Sequence, residues 1–390
     1  MPVIDADGHV EESPATFADD FLDPAYRDRR PAVVTSGDRA FWMVDDRLIP
    51  KLQGRAPNVM GTPTGHGTVL REISARKTES VESLELRGTA SRRDDIEQED
   101  IDVQVIYPTL FLAGSLSADP LLSQALCRSY NRWIARTCAE DLEHFKWVAS
   151  IDLADVPSAL LALREARAQP GLVGVMLLGT VGDRMLDARE FEPFWATAAG
   201  MDLPVAVHVG WPCPALNNLY DNLFNSQVSP FVMTVFMALV NLVSSGLFDR
   251  HPTLRVVFLE AGSEWMPYWL GRMQHYYEIA ERVPQIDYRA REAPWTYLKR
   301  GNLCVSCEVG EPMLPQVLAQ LGDDCVVYAS DIPHADRERF SVRALRARAD
   351  IGDASREKIL WANARRLYGL SSEGGVAPLP IPPPRSGCAG

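Results

Sequence analysis

The chain has 390 residues, 46% of them hydrophobic, and a formal net charge of −13 at pH 7. That length suits one large barrel or two ordinary domains, and the acidic balance speaks against nucleic acid or an anionic membrane as partner. No apolar run approaches the roughly 20 residues that span a bilayer, and no basic segment with an apolar core opens the chain.

Seven cysteines in a chain this long do not suggest a disulfide framework, so a cytoplasmic protein with reduced thiols is expected. An apolar run beginning at Val3 ends in Asp7-x-His9. Side chains two apart on a strand point the same way, so a carboxylate and an imidazole leave the first strand together, which is how a metal site starts on a barrel rim. From about 20 to 95 the chain is irregular and charged, and an insertion or lid is expected there. Its Arg71, Arg76 and Lys77 are candidates to reach a substrate anion, although charge runs are usually solvated.

Including 3–7, strands are predicted at 103–107, 146–151, 173–178, 205–209, 255–260, 303–308 and 325–330. Helical patterns lie between and after them at 120–138, 157–168, 190–199, 231–245, 265–281, 311–321 and 355–367. Such alternation marks parallel βαβ units, and eight of them close naturally into a barrel whose chemistry sits at the C-terminal strand ends. A doubly wound sheet is the rival, but no Gly-rich phosphate fingerprint follows the first strand. The α/β fold expected is therefore a distorted (β/α)8 TIM barrel over residues 1–370, with the insertion after strand 1 and an extended Pro/Gly-rich tail at 371–390. Cys304-x-x-Cys307 lies within the seventh strand without a second such pair, so buried thiols are expected. The helix at 231–245 is apolar nearly all round, as befits a barrel wall or a homodimer interface.

Polar residues at the strand ends are few. The fifth strand carries His208; the sixth delivers Glu260 from an apolar run, a placement that is costly without a partner. The seventh ends at Glu308, and the eighth runs Tyr328-Ala329-Ser330-Asp331-Ile332-Pro333-His334. Asp7, His9, His208 and Asp331 suit one divalent ion, Zn²⁺ first, with Mn²⁺ or Fe²⁺ as alternatives. Asp331, Glu260 and His334 are the candidate acids and bases. His251 precedes the sixth strand and is expected to be structural. Phe111 and Trp211 follow strand ends and, with Glu308, are candidate substrate contacts for a small molecule.

In order along the chain, Asp7-x-His9, His208, His251-Pro252-x-Leu254-Arg255 leading to Leu259-Glu260-Ala261-Gly262, and the Tyr328–His334 motif resemble the amidohydrolase-related family. That family includes aminocarboxymuconate-semialdehyde decarboxylase and γ-resorcylate decarboxylase. The resemblance covers roughly residues 1–10 and 92–370. It implies a distorted barrel with one divalent metal, held by the first-strand pair, His208 and Asp331. Two departures stand out: Asp7 replaces the first His of a common His-x-His, and Glu260 or Ala261 falls where decarboxylases of this type carry a His. A Glu anion would repel a substrate carboxylate but would serve as a base beside an activated water. The expectation is therefore a metal-dependent hydrolase of a small cyclic or aromatic amide, ester or lactone. A non-oxidative decarboxylase of an aromatic or unsaturated acid is the alternative, and a non-catalytic binding barrel the third reading. A homodimer or higher homo-oligomer is also expected.

Overall fold

Eight parallel strands pair in strict sequence order: β1 (Ile4–Val10), β2 (Val103–Pro108), β3 (Phe145–Ser150), β4 (Leu172–Leu178), β5 (Val205–His208), β6 (Val256–Leu259), β7 (Leu303–Cys307) and β8 (Val326–Tyr328). The computed structural model describes residues 2–37, 39–59, 61–63, 66, 80–283, 285–334 and 337–371. All eight predicted strands are present. Their residues are buried almost throughout, which explains why they read as continuous apolar runs rather than alternating ones.

Helices cover the outside: α1 (Thr89–Gln98), α2 (Pro120–Cys138), α3 (Val156–Arg167), α4 (Glu192–Gly200), α5 (Pro230–Ser244), α6 (Trp265–Ala280) and α7 (Leu314–Leu321), followed by a helical run over 353–368. Asp119 and Asp155 accept backbone N–H groups at the starts of α2 and α3, satisfying donors that have no partner within the helix. The result is a distorted (β/α)8 barrel. Cys304 and Cys307 are buried free thiols on β7. His251 lies beside Glu192, 2.8 Å away, before β6 and so on the face opposite the rim residues.

Closure between β1 and β8 uses single bonds and side chains rather than a regular ladder. Asp331 N–H donates to Asp7 O at 3.0 Å, and His9 N–H to Ile332 O at 2.5 Å. Buried Asp5 accepts Ser330 N–H at 2.8 Å, Ser330 Oγ–H at 2.5 Å and Gln104 Nε2–H at 2.8 Å. Arg92, also buried, donates to Gln104 Oε1 at 3.0 Å and to His9 O at 2.7 Å. Gly8 makes room for this network, since a methyl group there would come within 2.6 Å of Gln104 Cγ.

The segment expected to be irregular contains a three-stranded antiparallel sheet, Ala32–Ser36, Arg39–Val44 and Arg47–Ile49. Ala40, Trp42 and Val44 are buried on one side of its middle strand. Their period-2 alternation was legible, but the surrounding charge masked it. Arg47 donates to Leu116 O after β2 (2.6 Å), while Ala56 N–H donates to Tyr220 O after β5 (2.8 Å). The insertion thus bridges two rim loops. Arg71, Arg76 and Lys77, and the tail beyond Ser371, lie outside the described residues.

Helix α5 buries Phe231, Val235, Ala238, Leu239 and Leu242, while Met233, Phe236, Met237 and Val240 are half-buried. With the preceding helix it makes a 22-residue stretch, Leu223–Ser244, long and apolar enough by composition to cross a membrane, although half of the span is buried within the protein. The sequence count stopped short because polar Asn225, Ser226, Gln227 and Ser229 break the apolar run.

Two stability predictions follow from the closure network and the insertion's anchor. Gly8→Ala should cost about 1–3 kcal/mol, since Gln104 must leave Asp5 and Arg92 to admit the methyl group; denaturant titration of the variant reads this, and native stability would show the network to be dispensable. Asp23 accepts from Arg128 Nε at 3.0 Å and from Arg132 Nη1 at 2.6 Å on α2. Burial raises the Asp23 pKa, but Arg132 and Arg128 outweigh it and hold the carboxyl below its ordinary 3.8. Its stabilisation is therefore present above pH 3.8 and lost as pH falls through the lower native value. Asp23→Asn should lower stability by about 1 kcal/mol at pH 7, and thermal melts should show that gap closing under acid.

Candidate metal centre

Six side chains from four strand ends converge at the C-terminal mouth of the barrel. Asp7 and His9 stand on β1, His208 ends β5, Glu260 follows β6, and Asp331 and His334 follow β8. A register shift between Asp5 and Gly8 in the β1–β2 pairing sets two residues of β1 against one of β2. Such bulges re-aim a side chain, and here the bulge contains Asp7. Glu260 and Asp331 both have left-handed backbones, φ +59° and +55°, which are costly for side-chain-bearing residues and cluster at functional sites.

His9 Nε2 is 3.3 Å from Asp7 Oδ1, 3.7 Å from Glu260 Oε2 and 3.8 Å from Asp331 Oδ1. His208 Nε2 is 3.4 Å from Asp7 Oδ2 and 3.2 Å from Glu260 Oε2. The two imidazole Nε2 atoms face each other at 3.1 Å. His9 Nδ1 lies 3.1 Å from Pro108 O, and His208 Nδ1 3.0 Å from Val209 O. A carbonyl only accepts, so both Nδ1 atoms carry protons, and on neutral rings both Nε2 atoms present lone pairs. Among the described residues, neither oxygen of buried Asp7 receives a hydrogen bond. Buried lone pairs and anions that meet without donors between them need a cation. Asp7, His9, His208 and Glu260 form one compact donor group, and His9, Glu260, Asp331 and His334 another. A divalent metal ion fits here.

The electrostatics agree. Burial raises the Asp7 pKa, but the His208 and His9 imidazoles prevail and hold it far below the carboxylate range. Burial, aided by the charge of His334, pushes His9 down to about 4 and keeps its ring neutral. Burial also disfavours a charged His208, yet neighbouring Asp7 outweighs it and raises its pKa.

The surrounding residues brace this cluster. The ring of His334 stacks on His9 at 4.2 Å, its Nδ1 lies 2.5 Å from Asp331 Oδ1, and its Nε2 is 2.9 Å from Thr109 Oγ1. Glu260 N–H donates to Ser306 Oγ at 3.1 Å. Buried Glu311 accepts from Ser263 N at 2.8 Å and Glu308 N at 2.6 Å, tying the loops after β6 and β7 together. Below the histidines, Tyr107 OH bonds to Tyr368 OH at 2.7 Å, and the latter donates to Ala6 O at 2.8 Å.

The other candidate residues lie elsewhere. Phe111 packs 5.5 Å from Tyr130 and lines a cleft with Ser150, Asp152 and Leu178. Trp211 packs loops: its indole N–H donates to Ser226 Oγ at 2.9 Å and its ring lies 4.4 Å from Phe231. Glu308 is exposed on the rim and outside both donor groups. Sequence reasoning placed Glu260 outside the metal set, because its strand end alone could not reveal how close it comes to His208. It also missed Thr109, whose only signal was a polar residue just past β2.

Fold and site together define a (β/α)8 barrel enzyme whose mouth holds a donor set that a divalent metal fits. The amidohydrolase family model matches residues 4–370, and the chain belongs to that family. It is 24% identical over 263 residues to the γ-resorcylate decarboxylase of Polaromonas sp., covering 65% of this chain and 79% of that one. An amidohydrolase from Mycobacterium avium subsp. paratuberculosis superposes with a TM-score of 0.74 at 21% identity, covering 94% of this chain and 99% of that one. A dihydroxybenzoic acid decarboxylase from Polaromonas, solved with manganese and 2-nitroresorcinol, gives 0.61 at 21% identity, covering 71% and 85%. Further relatives are also decarboxylases.

These relatives overturn the expected hydrolase activity. The physical ground for that expectation was a Glu260 set apart as a base. Its Oε2 instead lies 3.2 Å from His208 Nε2, inside the donor cluster, where the imidazoles share its charge.

Chelation should lower the melting temperature, and excess divalent metal should raise it. A metal at 100 times its Kd stabilises by about 2.7 kcal/mol. Asp7→Asn should lose most of that shift in differential scanning fluorimetry; an undiminished shift would move the ion elsewhere.

Proposed function

We propose that this protein is a divalent-metal-dependent, non-oxidative decarboxylase of an aromatic or unsaturated carboxylic acid. The observation that carries this reading is the buried, acceptor-rich cluster of Asp7, His9, His208, Glu260 and Asp331 in a chain whose curated relatives include γ-resorcylate decarboxylase. The first ligands are Asp7, His9, His208 and Asp331, with Glu260 beside them. This oxygen-rich set offers more than the four donors zinc commonly takes and suits Mn²⁺, so manganese replaces zinc as the preferred ion. Bound there, the ion supplies positive charge that orients the substrate carboxylate.

The residues then have separate tasks. His334 and Asp331, in contact at 2.5 Å, hold the proton that is delivered to the carbon bearing the carboxylate. The bond from that carbon to the carboxyl group breaks, its electron pair returns to the substrate framework, and carbon dioxide leaves. The proton given up by the His334–Asp331 pair is then replaced from solvent, so the net reaction takes one carboxylate and one proton to one neutral product and one carbon dioxide. Phe111 lines a neighbouring cleft, Trp211 holds the loop after β5, and Glu308 stands at the rim as a polar contact. The half-buried apolar face of α5 and exposed Phe224 and Tyr268 favour packing against a second copy of the chain.

Metal-loaded protein should release carbon dioxide from one or more hydroxybenzoates or unsaturated carboxylic acids, with Mn²⁺ supporting faster turnover than Zn²⁺. Asp331→Asn should abolish release while leaving far-UV circular dichroism unchanged. A panel of such acids that yields no carbon dioxide with metal-replete enzyme would overturn the proposal.

A further inference from the structure

We infer that Tyr368 is a positioning residue for the metal centre. Its hydroxyl holds the Ala6–Asp7 peptide in the orientation that aims the Asp7 carboxylate at the ion, and so sets how tightly the ion binds. Asp7 stands in the bulge of β1, where Ala6 and Asp7 together face Val105 of β2. The peptide unit that joins them is held by side chains at both of its polar groups. Its N–H donates to Asp5 Oδ1 at 3.2 Å, and its C=O accepts the Tyr368 hydroxyl at 2.8 Å. A planar peptide turns as one body, changing ψ of the residue before it and φ of the residue after it. Turning this one would swing the Asp7 carboxylate away from His9 and His208, which lie 3.3 and 3.4 Å from its oxygens.

The grip comes from the far end of the chain, since Tyr368 closes the helix Asn363–Tyr368. A phenol has one proton and a carbonyl has none. With the Tyr368 proton on Ala6 O, the 2.7 Å contact between the two tyrosine hydroxyls has Tyr107 as donor and Tyr368 as acceptor. The Tyr107 ring lies 5.9 Å from the His9 ring and 5.9 Å from the His208 ring. Both tyrosines and both histidines are buried. The two hydroxyls are not equivalent. Removing the Tyr107 oxygen leaves the bond from Tyr368 to Ala6 O in place, whereas removing the Tyr368 oxygen takes that donor away. Tyr368 makes and breaks no bond in the reaction.

The inference rests on the decarboxylase reading only through its metal ion. Full-length native protein, Tyr107→Phe, Tyr368→Phe and the double variant are stripped with a chelator and titrated with Mn²⁺. Electron paramagnetic resonance of the free ion gives the Kd, and thermal melts of the metal-free proteins give the packing cost of each change. The Kd should rise about 10- to 100-fold in Tyr368→Phe and less than about threefold in Tyr107→Phe. The double variant, which leaves no orphaned phenol, should bind as weakly as Tyr368→Phe and replaces it if that protein melts at the assay temperature. Native affinity in Tyr368→Phe or in the double variant overturns the inference. Equal weakening in Tyr107→Phe and Tyr368→Phe overturns it too, since the pair would then act by packing alone. Native protein that binds Mn²⁺ but decarboxylates nothing breaks the decarboxylase reading, while the four affinities still decide the role of Tyr368. Native protein that binds no Mn²⁺ removes the metal centre and this inference with it.

Discussion

The constraint on which this structure depends is a set of buried electron pairs, those of Asp7 and of the His9 and His208 Nε2 atoms, that meet with no donor between them among the described residues. Both imidazole Nδ1 atoms of His9 and His208 are committed to carbonyls, so their Nε2 atoms meet Asp7 and Glu260 as acceptors at 3.2–3.4 Å. In a low-dielectric interior such an arrangement is unfavourable without positive charge. A hydrophobic cluster of the same volume would be more stable. The fold therefore carries a local cost that a cation relieves, and much of the surrounding architecture resists the cluster's tendency to spring apart.

That resistance comes from the β1–β8 seam. A regular ladder there would hold the backbone but leave Asp7 and Asp331 to follow ordinary strand alternation. The bulge in β1, the left-handed backbones of Glu260 and Asp331, and the Asp5–Ser330 and Asp5–Gln104 bonds replace the ladder with side-chain ties. Arg92 adds a buried positive charge behind the seam, bonded to the backbone O of His9 and to Gln104.

Most of the barrel was legible because parallel strands buried on both faces leave apolar runs that helices and turns punctuate. Asp7, His9, His208 and Asp331 were legible for a related reason: each interrupts or ends such a run. What escaped depends on distance in space. Glu260 reads as a lone acid after an apolar strand, and only the β5–β6 pairing of His208 with Leu259 brings its carboxylate to the imidazole. The antiparallel sheet over 32–49 escaped because its Arg and Asp residues face solvent and rim loops, and that charge outweighs three alternating apolar positions. Thr109 and Glu12 carry no local signal, since their roles lie in bonds to partners 97–225 residues away.

Glu260 shows how a sound electrostatic argument can lead to the wrong chemistry. Repulsion between a carboxylate and a substrate anion is real when both face the same open space. It weakens when the carboxylate is packed 3.2 Å and 3.7 Å from two imidazoles, around a site that accepts a dication. The residue's charge is then part of the balance that holds the ion, and what the substrate meets is the sum of cluster and ion. With three carboxylates against two positive charges and a titratable set of imidazoles, that sum is adjustable by a single proton. A reaction that must deliver one proton to carbon at each turnover is suited to a centre poised in this way.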